Sequence, residues 1–487
     1  MLFNSFQFIL LFLPITLFIF HTTARINQRV AFILLTLASL LFYSFDNAYY
    51  AALLALSIAV NFILGEAIRS RKDDAKTIHN ILFIVALLMN LLLLGYFKYT
   101  NFFTYNINEL LKTHISTSKI DLPPGISFYT FVQIAYIVDA YKGKIKNGSF
   151  AGYSLFVSFF PHLIAGPIIH INDMMPQFYN YKISSKTQTY IAAGISIFTI
   201  GLAKKVLVAD LLAEKANQAY ALIGAGHTLS TLDAWIGSLS YTLQIYYDFS
   251  GYSDMAIGLA YMFGIKFPIN FNSPYKATSI IDFWRRWHIT LSQFLRDYIY
   301  IPLGGNKAGA TGRYRNLMLT MLLGGLWHGA GWNFVLWGGI HGSLLVCAHM
   351  FRAHTNSHQL RLPRWTPLIT LPLTFFCVHM AWIPFRAEDL YTSYSMATSL
   401  FTNHGDTAEF TYVTLRTVLM VLLATVLLPN TQQLFPSDIN SDHKDYPIKS
   451  ALLTWSSSKP HAFAFGLLLT ACLFSLTSPS TFIYFRF

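Results

Sequence analysis

Apolar residues in this chain fall in long blocks separated by short polar connections. Runs that approach or exceed the about 20 residues a helix needs to cross a hydrocarbon core lie at 2–21, 30–45, 47–67, 80–97, 122–141, 151–171, 188–209, 232–263, 316–350, 366–385, 411–429 and 461–477. The pattern predicts an all-α, polytopic integral membrane protein. Two runs are interrupted, 122–141 by Pro123, Pro124 and Gly125 and 151–171 by Pro161, Gly166 and Pro167. Broken backbone survives at membrane depth only when buried in protein or lining a wet cavity. These two runs are therefore expected to be re-entrant segments around an internal chamber.

Composition sharpens that picture. The apolar fraction is 54% and the charged fraction 11%, against about 25% charged in soluble domains. The net charge of +12 sits in short clusters between apolar runs, as at Arg69, Arg71, Lys72 and Lys76. Such clusters orient membrane proteins by the positive-inside rule and argue against nucleic acid as a partner. Residues 22–29 and 68–79 are expected on the cytoplasmic side, and Asp46–Asn47 outside. Lys98, Lys112 and Lys119 fall where the outer side is expected. With no positive charge before Arg25, the first run reads as a retained helix rather than a cleaved leader. Cys347, Cys377 and Cys472 lie in apolar stretches with neither metal nor disulfide spacing. No internal repeat stands out, and the polar stretch near 431–460 reads as a solvated loop. The chain, 1–487, is treated as one membrane domain with its motif core at about 240–345.

Chemistry-bearing residues gather in that core. From Ile281 the chain reads IDFWRRWHITLSQFLRDYIYIPLGGNK, in which Trp284, Trp287, Phe294 and Leu295 interleave with Arg285, Arg286, Arg296 and Asp297. Trp and Arg together suit the headgroup level, so a helix lying in the plane of the cytoplasmic face is expected. A surface-anchoring helix accounts for every residue there except His288. Beyond Arg315 comes NLMLTMLLGGLWHGAGWNFVLWGGIHG. At 1.5 Å rise per residue, His328 lies roughly 18–20 Å past Arg315, beyond the middle of a core about 30 Å thick. An ionisable side chain at that depth is a functional candidate. Gly324 and Gly325 share its helical face, leaving room for a substrate or for close packing of another helix, with Trp327, Trp332 and Asn333 alongside. His341, about 220° further round one ideal helix, is expected to point elsewhere. A second polar cluster, TLQIYYDFSGYSDMAIGLAYMFGI, holds Asp248 and Asp254. Its carboxylates either face a cavity with a partner or mark a helix break at the water interface.

Three of these motifs, WRRWHITLSQFLRDYIYIPLGGN, LWHGAGWNFVLWGGIHG and YYDFSGYSDMAIGLA, resemble signatures of the membrane-bound O-acyltransferases, and of their alginate O-acetyltransferase branch in particular. LFNSFQFILLFLP, GYFKYTNFF, PPGISFYTFVQIAYIVDAYKG, FVSFFPHLIAGPI, IPFRAEDL and the terminal FIYFRF extend the likeness over nearly the whole chain. The resemblance implies a ring of about 10–12 membrane helices around a central tunnel, in the bacterial inner membrane. It carries the catalytic histidine of a WHG motif onto His328 and that of an RWH motif onto His288. It also implies acetyl-CoA as cytosolic donor, no bound cofactor, and a separate periplasmic SGNH-type acetyltransferase that completes delivery to a polysaccharide such as alginate. Acyl transfer from a thioester needs a base for the acceptor hydroxyl and donors for the oxyanion. His328 suits the first role, and His288 can orient the thioester. Arg285, Arg286 and Arg296 can hold nucleotide phosphates at the mouth. Trp284, Trp327, Asn333, Asp248 and Asp254 are further candidates for the substrate path. No metal is expected, because the candidate ligands lack a compact spacing. Peptidoglycan or another glycan as acceptor, D-alanyl transfer, and secondary transport are the alternatives.

Overall fold

The computed structural model describes residues 1–70, 76–116, 120–145, 148–183, 186–307, 309–358, 363–402, 410–435, 454–476 and 480–486. Arg71, Lys72, Lys119 and most of the 431–460 loop lie outside the described residues. Among those described, the ordered backbone is helical. Six helices are long and apolar enough to cross a membrane: Gln7–Ile26, Ala48–Ser70, Lys76–Leu111, Thr187–Gly224, Trp332–Ser357 and Thr366–Arg386. Three shorter apolar helices, Gln28–Ser44, Tyr412–Leu427 and Lys459–Ser475, accompany them. Leu10, Leu11, Phe18, Leu92 and other large apolar side chains stay exposed on these helices, as a lipid-facing surface requires. Chain contacts divide the protein into two compact units, one of residues 1–203, 252–268 and 455–487, the other of 204–251 and 269–454.

The first unit is organised by aromatic packing and small polar bridges. Phe3, Phe8, Phe12, Phe42 and Phe160 form one cluster with ring centroids 5.0–6.4 Å apart. Asn61 and Asn90 exchange side-chain hydrogen bonds between two spanning helices, at 3.3 and 2.7 Å. Ser57 meets Gln133 on a third helix, Ile126–Tyr141. Interhelical bonds of this kind contribute about 0.6–2 kcal/mol each in a membrane. Both interrupted runs are indeed broken and buried. Gly125 turns with φ +71° directly before Ile126, while Phe150–Ser158 and Phe160–Leu163 are short helices followed by buried non-helical residues up to 169. Side chains meet the backbone groups these breaks release. Tyr43 donates to the carbonyl of Pro124 at 2.7 Å, and Ser39 Oγ accepts from the Phe160 amide at 3.2 Å. Lys98 corrects the loop expectation: it is buried inside the 36-residue helix Lys76–Leu111, where its ammonium donates to Ser127 Oγ.

In the second unit the run 316–350 is two helices, Gly309–His328 and Trp332–Ser357, joined at Gly329–Gly331. They pack closely as an antiparallel pair. A Cβ at Gly325 would strike the carbonyl of Phe334, one at Gly338 the carbonyl of Met321, and one at Gly342 the Met318 sulfur. Glycine at all three points is what lets the backbones approach. The segment from Ile281 is not one surface helix either. It folds as Ile280–Arg286, a break at Trp287–His288, then Ile289–Leu295 and a π-helical turn Arg296–Tyr300. Trp287 and His288 are 1% and 0% exposed, so the motif is interior rather than a headgroup anchor.

Candidate active site

His328 is the last residue of its helix and 2% exposed. Three aromatic rings wall it: Trp327 at 4.8 Å, Trp337 at 4.9 Å and Phe385 at 5.1 Å between centroids. The hairpin explains the arrangement. Because the chain reverses at Gly329–Gly331, Trp337 from the second helix returns beside the end of the first. The same reversal voids the one-helix angle for His341. Trp337 contacts both histidines, 4.9 Å from His328 and 4.8 Å from His341, so His341 belongs to the same aromatic cluster.

His288 approaches from the break between the two short helices. Its ring lies 6.4 Å from Trp327 and 4.7 Å from Phe249, edge to face. The backbone at His288 is left-handed, φ +43°, a conformation that costs a non-glycine residue about 1–3 kcal/mol and clusters at functional sites. Asn270 holds it there. Its backbone carbonyl accepts from Ile289 N–H at 3.0 Å. Its Oδ1 accepts from the Thr290 amide at 3.3 Å, from Thr290 Oγ1 at 3.0 Å, and from His288 Nδ1 at 3.1 Å. A backbone N–H can only donate, which identifies the shared Asn270 atom as oxygen. His288 Nδ1 therefore carries the proton and Nε2 the lone pair. Burial pushes this imidazole down from the usual range to about 3, so it is neutral at physiological pH. Sequence reasoning missed Asn270, which stands in a non-helical connection without periodicity.

The other expected residues take varied places. Trp284 joins the cluster, 5.8 Å from Trp337 and 5.1 Å from His341. Asn333 donates to the carbonyls of Ala387 and Pro384, at 2.6 and 3.2 Å. It thereby ties the start of its helix to the residues flanking Phe385, the ring beside His328. Asp248 reaches Lys205 at 2.6 Å, and the same ammonium meets Asp210 at 2.9 Å. The long helix Thr231–Met262 thus presents Phe249 to His288 while Asp248 points to an ion triad in which it and Lys205 are buried and Asp210 is half-buried. Lys205 stands in a π-helical stretch, Lys204–Ala209. Asp254 is buried in the other compact unit. Arg286 pairs with Asp282 at 2.9 Å, and exposed Arg296 pairs with Asp297 at 2.7 Å. Arg285 is exposed, and its field reaches His349 together with those of Arg313 and Arg352. The sequence reading did not link Arg313 and Arg352 to it, because they lie on opposite arms of the hairpin.

Comparison with known proteins gives these residues a family. The model of the MBOAT, membrane-bound O-acyltransferase family, matches residues 77–383, which include His288, His328 and His341. A "Peptidoglycan O-acetyltransferase" of Helicobacter pylori is 43% identical over 418 residues, covering 80% of this chain and 78% of that protein. A "Probable alginate O-acetylase AlgI" of Pseudomonas putida is 36% identical over 509 residues and all of both chains. A "Teichoic acid D-alanyltransferase" of Bacillus subtilis is 27% identical over 277 residues, 55% of this chain and 69% of that one. The chain belongs to the membrane-bound O-acyltransferase family and is a multi-pass membrane O-acyltransferase.

Proposed function

We propose that this enzyme takes acetyl groups from acetyl-CoA at the cytosolic side and passes them across the bacterial inner membrane for O-acetylation of an extracytoplasmic glycan. The observation that carries the reading is the buried pair His328 and His288, brought against the same ring, Trp327, from separate motifs. His328 takes the proton of the acceptor hydroxyl as its oxygen attacks the thioester carbonyl carbon, and the carbonyl electron pair moves onto oxygen. Collapse of that oxyanion expels the coenzyme A thiolate, which recovers the proton from His328. Neutral His288, with its Nδ1 proton committed to Asn270, offers the Nε2 lone pair to a hydroxyl or thiol and so orients a reactant. Arg285, Arg313 and Arg352 suit the donor's phosphates, because guanidinium groups bind phosphate through several charge-assisted hydrogen bonds. The 285–315 segment, with six Lys or Arg, then faces the cytosol.

Relatives at 36–43% identity that are named for acetyl transfer favour acetyl over D-alanyl as the acyl group. Their two glycans, peptidoglycan and alginate, define the acceptor class. A periplasmic SGNH-type acetyltransferase completes delivery, and the present chain supplies the acyl group. Proteoliposomes test both halves. With acetyl-CoA outside and glycan in the lumen, acetylation should be slow until that partner is added to the lumen. Efficient acetylation without it would refute the relay, and no acetyl-CoA turnover with it would refute the donor.

A further inference from the structure

His341 is fully buried, at 0% exposure, yet neither ring nitrogen has a hydrogen-bond partner among the described residues. A neutral imidazole always carries one N–H. Leaving such a group buried and unmet is unfavourable, so its retention calls for an explanation. Its neighbours share the condition. The indole N–H groups of Trp284 and Trp337 are also buried without acceptors among the described residues. The three rings touch one another, with centroids 4.8, 5.1 and 5.8 Å apart. Phe283 also stacks on His341, at 6.1 Å and 9°. The cluster therefore holds three N–H donors in an aromatic setting, and one of its members, Trp337, also walls His328.

A donor-rich, water-poor site beside the general base suits one chemical group, an oxygen that gains negative charge. We propose that the N–H groups of Trp284, Trp337 and His341 receive the carbonyl oxygen of the acyl thioester and stabilise the oxyanion formed when that carbon is attacked. The inference rests on the acyl-transfer reading above. It adds the residues that take up the carbonyl electron pair while His328 takes the hydroxyl proton. Donors held in a low-dielectric site act on the transition state far more strongly than in water.

Trp284→Phe and Trp337→Phe delete one N–H each and keep an aromatic ring, and His341→Asn keeps a donor where His341→Leu does not. In purified protein reconstituted in liposomes with the glycan and the periplasmic partner in the lumen, turnover of acetyl-CoA should fall about 10²–10³-fold in kcat for each Phe variant and for His341→Leu. KM should change little, and His341→Asn should retain more activity than His341→Leu. S-ethyl-coenzyme A, a thioether without the carbonyl, serves as the packing control. Its affinity should be the same in wild type and variants, whereas general loss of packing would weaken it in step with kcat. Variants that keep kcat within about twofold, or that lose thioether affinity in proportion to kcat, would overturn the proposal. Wild-type turnover and its loss in His328→Ala are measured alongside. If those hold while the donor variants stay active, only the oxyanion site is refuted. If wild type shows no turnover, the acyl-transfer reading fails first.

Discussion

Replacing Asn270 should disarm His288 without touching it. Asn270 Oδ1 serves three buried donors, Thr290 N–H, Thr290 Oγ1 and His288 Nδ1, at 3.0–3.3 Å. Asn270→Ala removes the acceptor that all three share, at about 1–3 kcal/mol apiece before relaxation. The backbone strain stored at His288, φ +43°, is about 1–3 kcal/mol. The lost bonds therefore outweigh the strain they held in place, and the turn should relax toward right-handed geometry with its imidazole displaced. A shift near 1 Å at a catalytic group can cost about 10²-fold in rate. Turnover of acetyl-CoA per inserted protein should fall by about that factor, together with a lower thermal midpoint in detergent. Asn270→Asp keeps an oxygen for every donor and should keep the fold. Its carboxylate favours a charged imidazole, so this variant should regain activity as pH rises. Wild-type turnover in Asn270→Ala, at normal protein levels, would show that His288 needs no such support and would refute the reasoning.

Two further outcomes follow from the second unit. Gly338→Val should block assembly of the helical hairpin, since any Cβ at that position meets the Met321 carbonyl, whereas Val at Gly466, where a Cβ meets nothing, should insert normally. The comparison is read as membrane-inserted protein per cell. Replacing Arg285, Arg313 and Arg352 together with Gln should raise KM for acetyl-CoA by tenfold or more with kcat changed little. The effect should shrink for an acetyl thioester that lacks the nucleotide, and an equal effect on both donors would remove these arginines from phosphate binding.

Hydropathy made the membrane class and most helices legible, because a spanning helix is a local property of about 20 residues. It could not see the reversal at Gly329–Gly331, since apolar residues continue across it and only glycine spacing marks the close approach of the two arms. That one missed turn placed His341 on the wrong face. The same limit hid long-range partners. Asp248 stood out as an odd carboxylate, but its counter-ion Lys205 is 43 positions away and no periodicity connects them. Arg286 and Arg296 looked equivalent to Arg285 in the string, yet each has a carboxylate nearby, Asp282 one turn back or Asp297 next in line. Asn270 carried no signal at all, being one polar residue in a connection. The helical run from Arg315 to His328, by contrast, was readable in the string, and it made His328 a candidate.

The central claim, that His328 performs the proton transfer, is tested most directly by His328→Ala in cells that make the glycan. The quantity to measure is acetyl content of the glycan per unit of membrane-inserted enzyme. Loss of a positioned general base typically costs about 10²–10⁴ in rate, so acetylation should drop to background while the inserted protein stays at wild-type level. Wild-type acetylation per inserted molecule would contradict the mechanism, and acetylation that falls only in step with inserted protein would make His328 a structural residue.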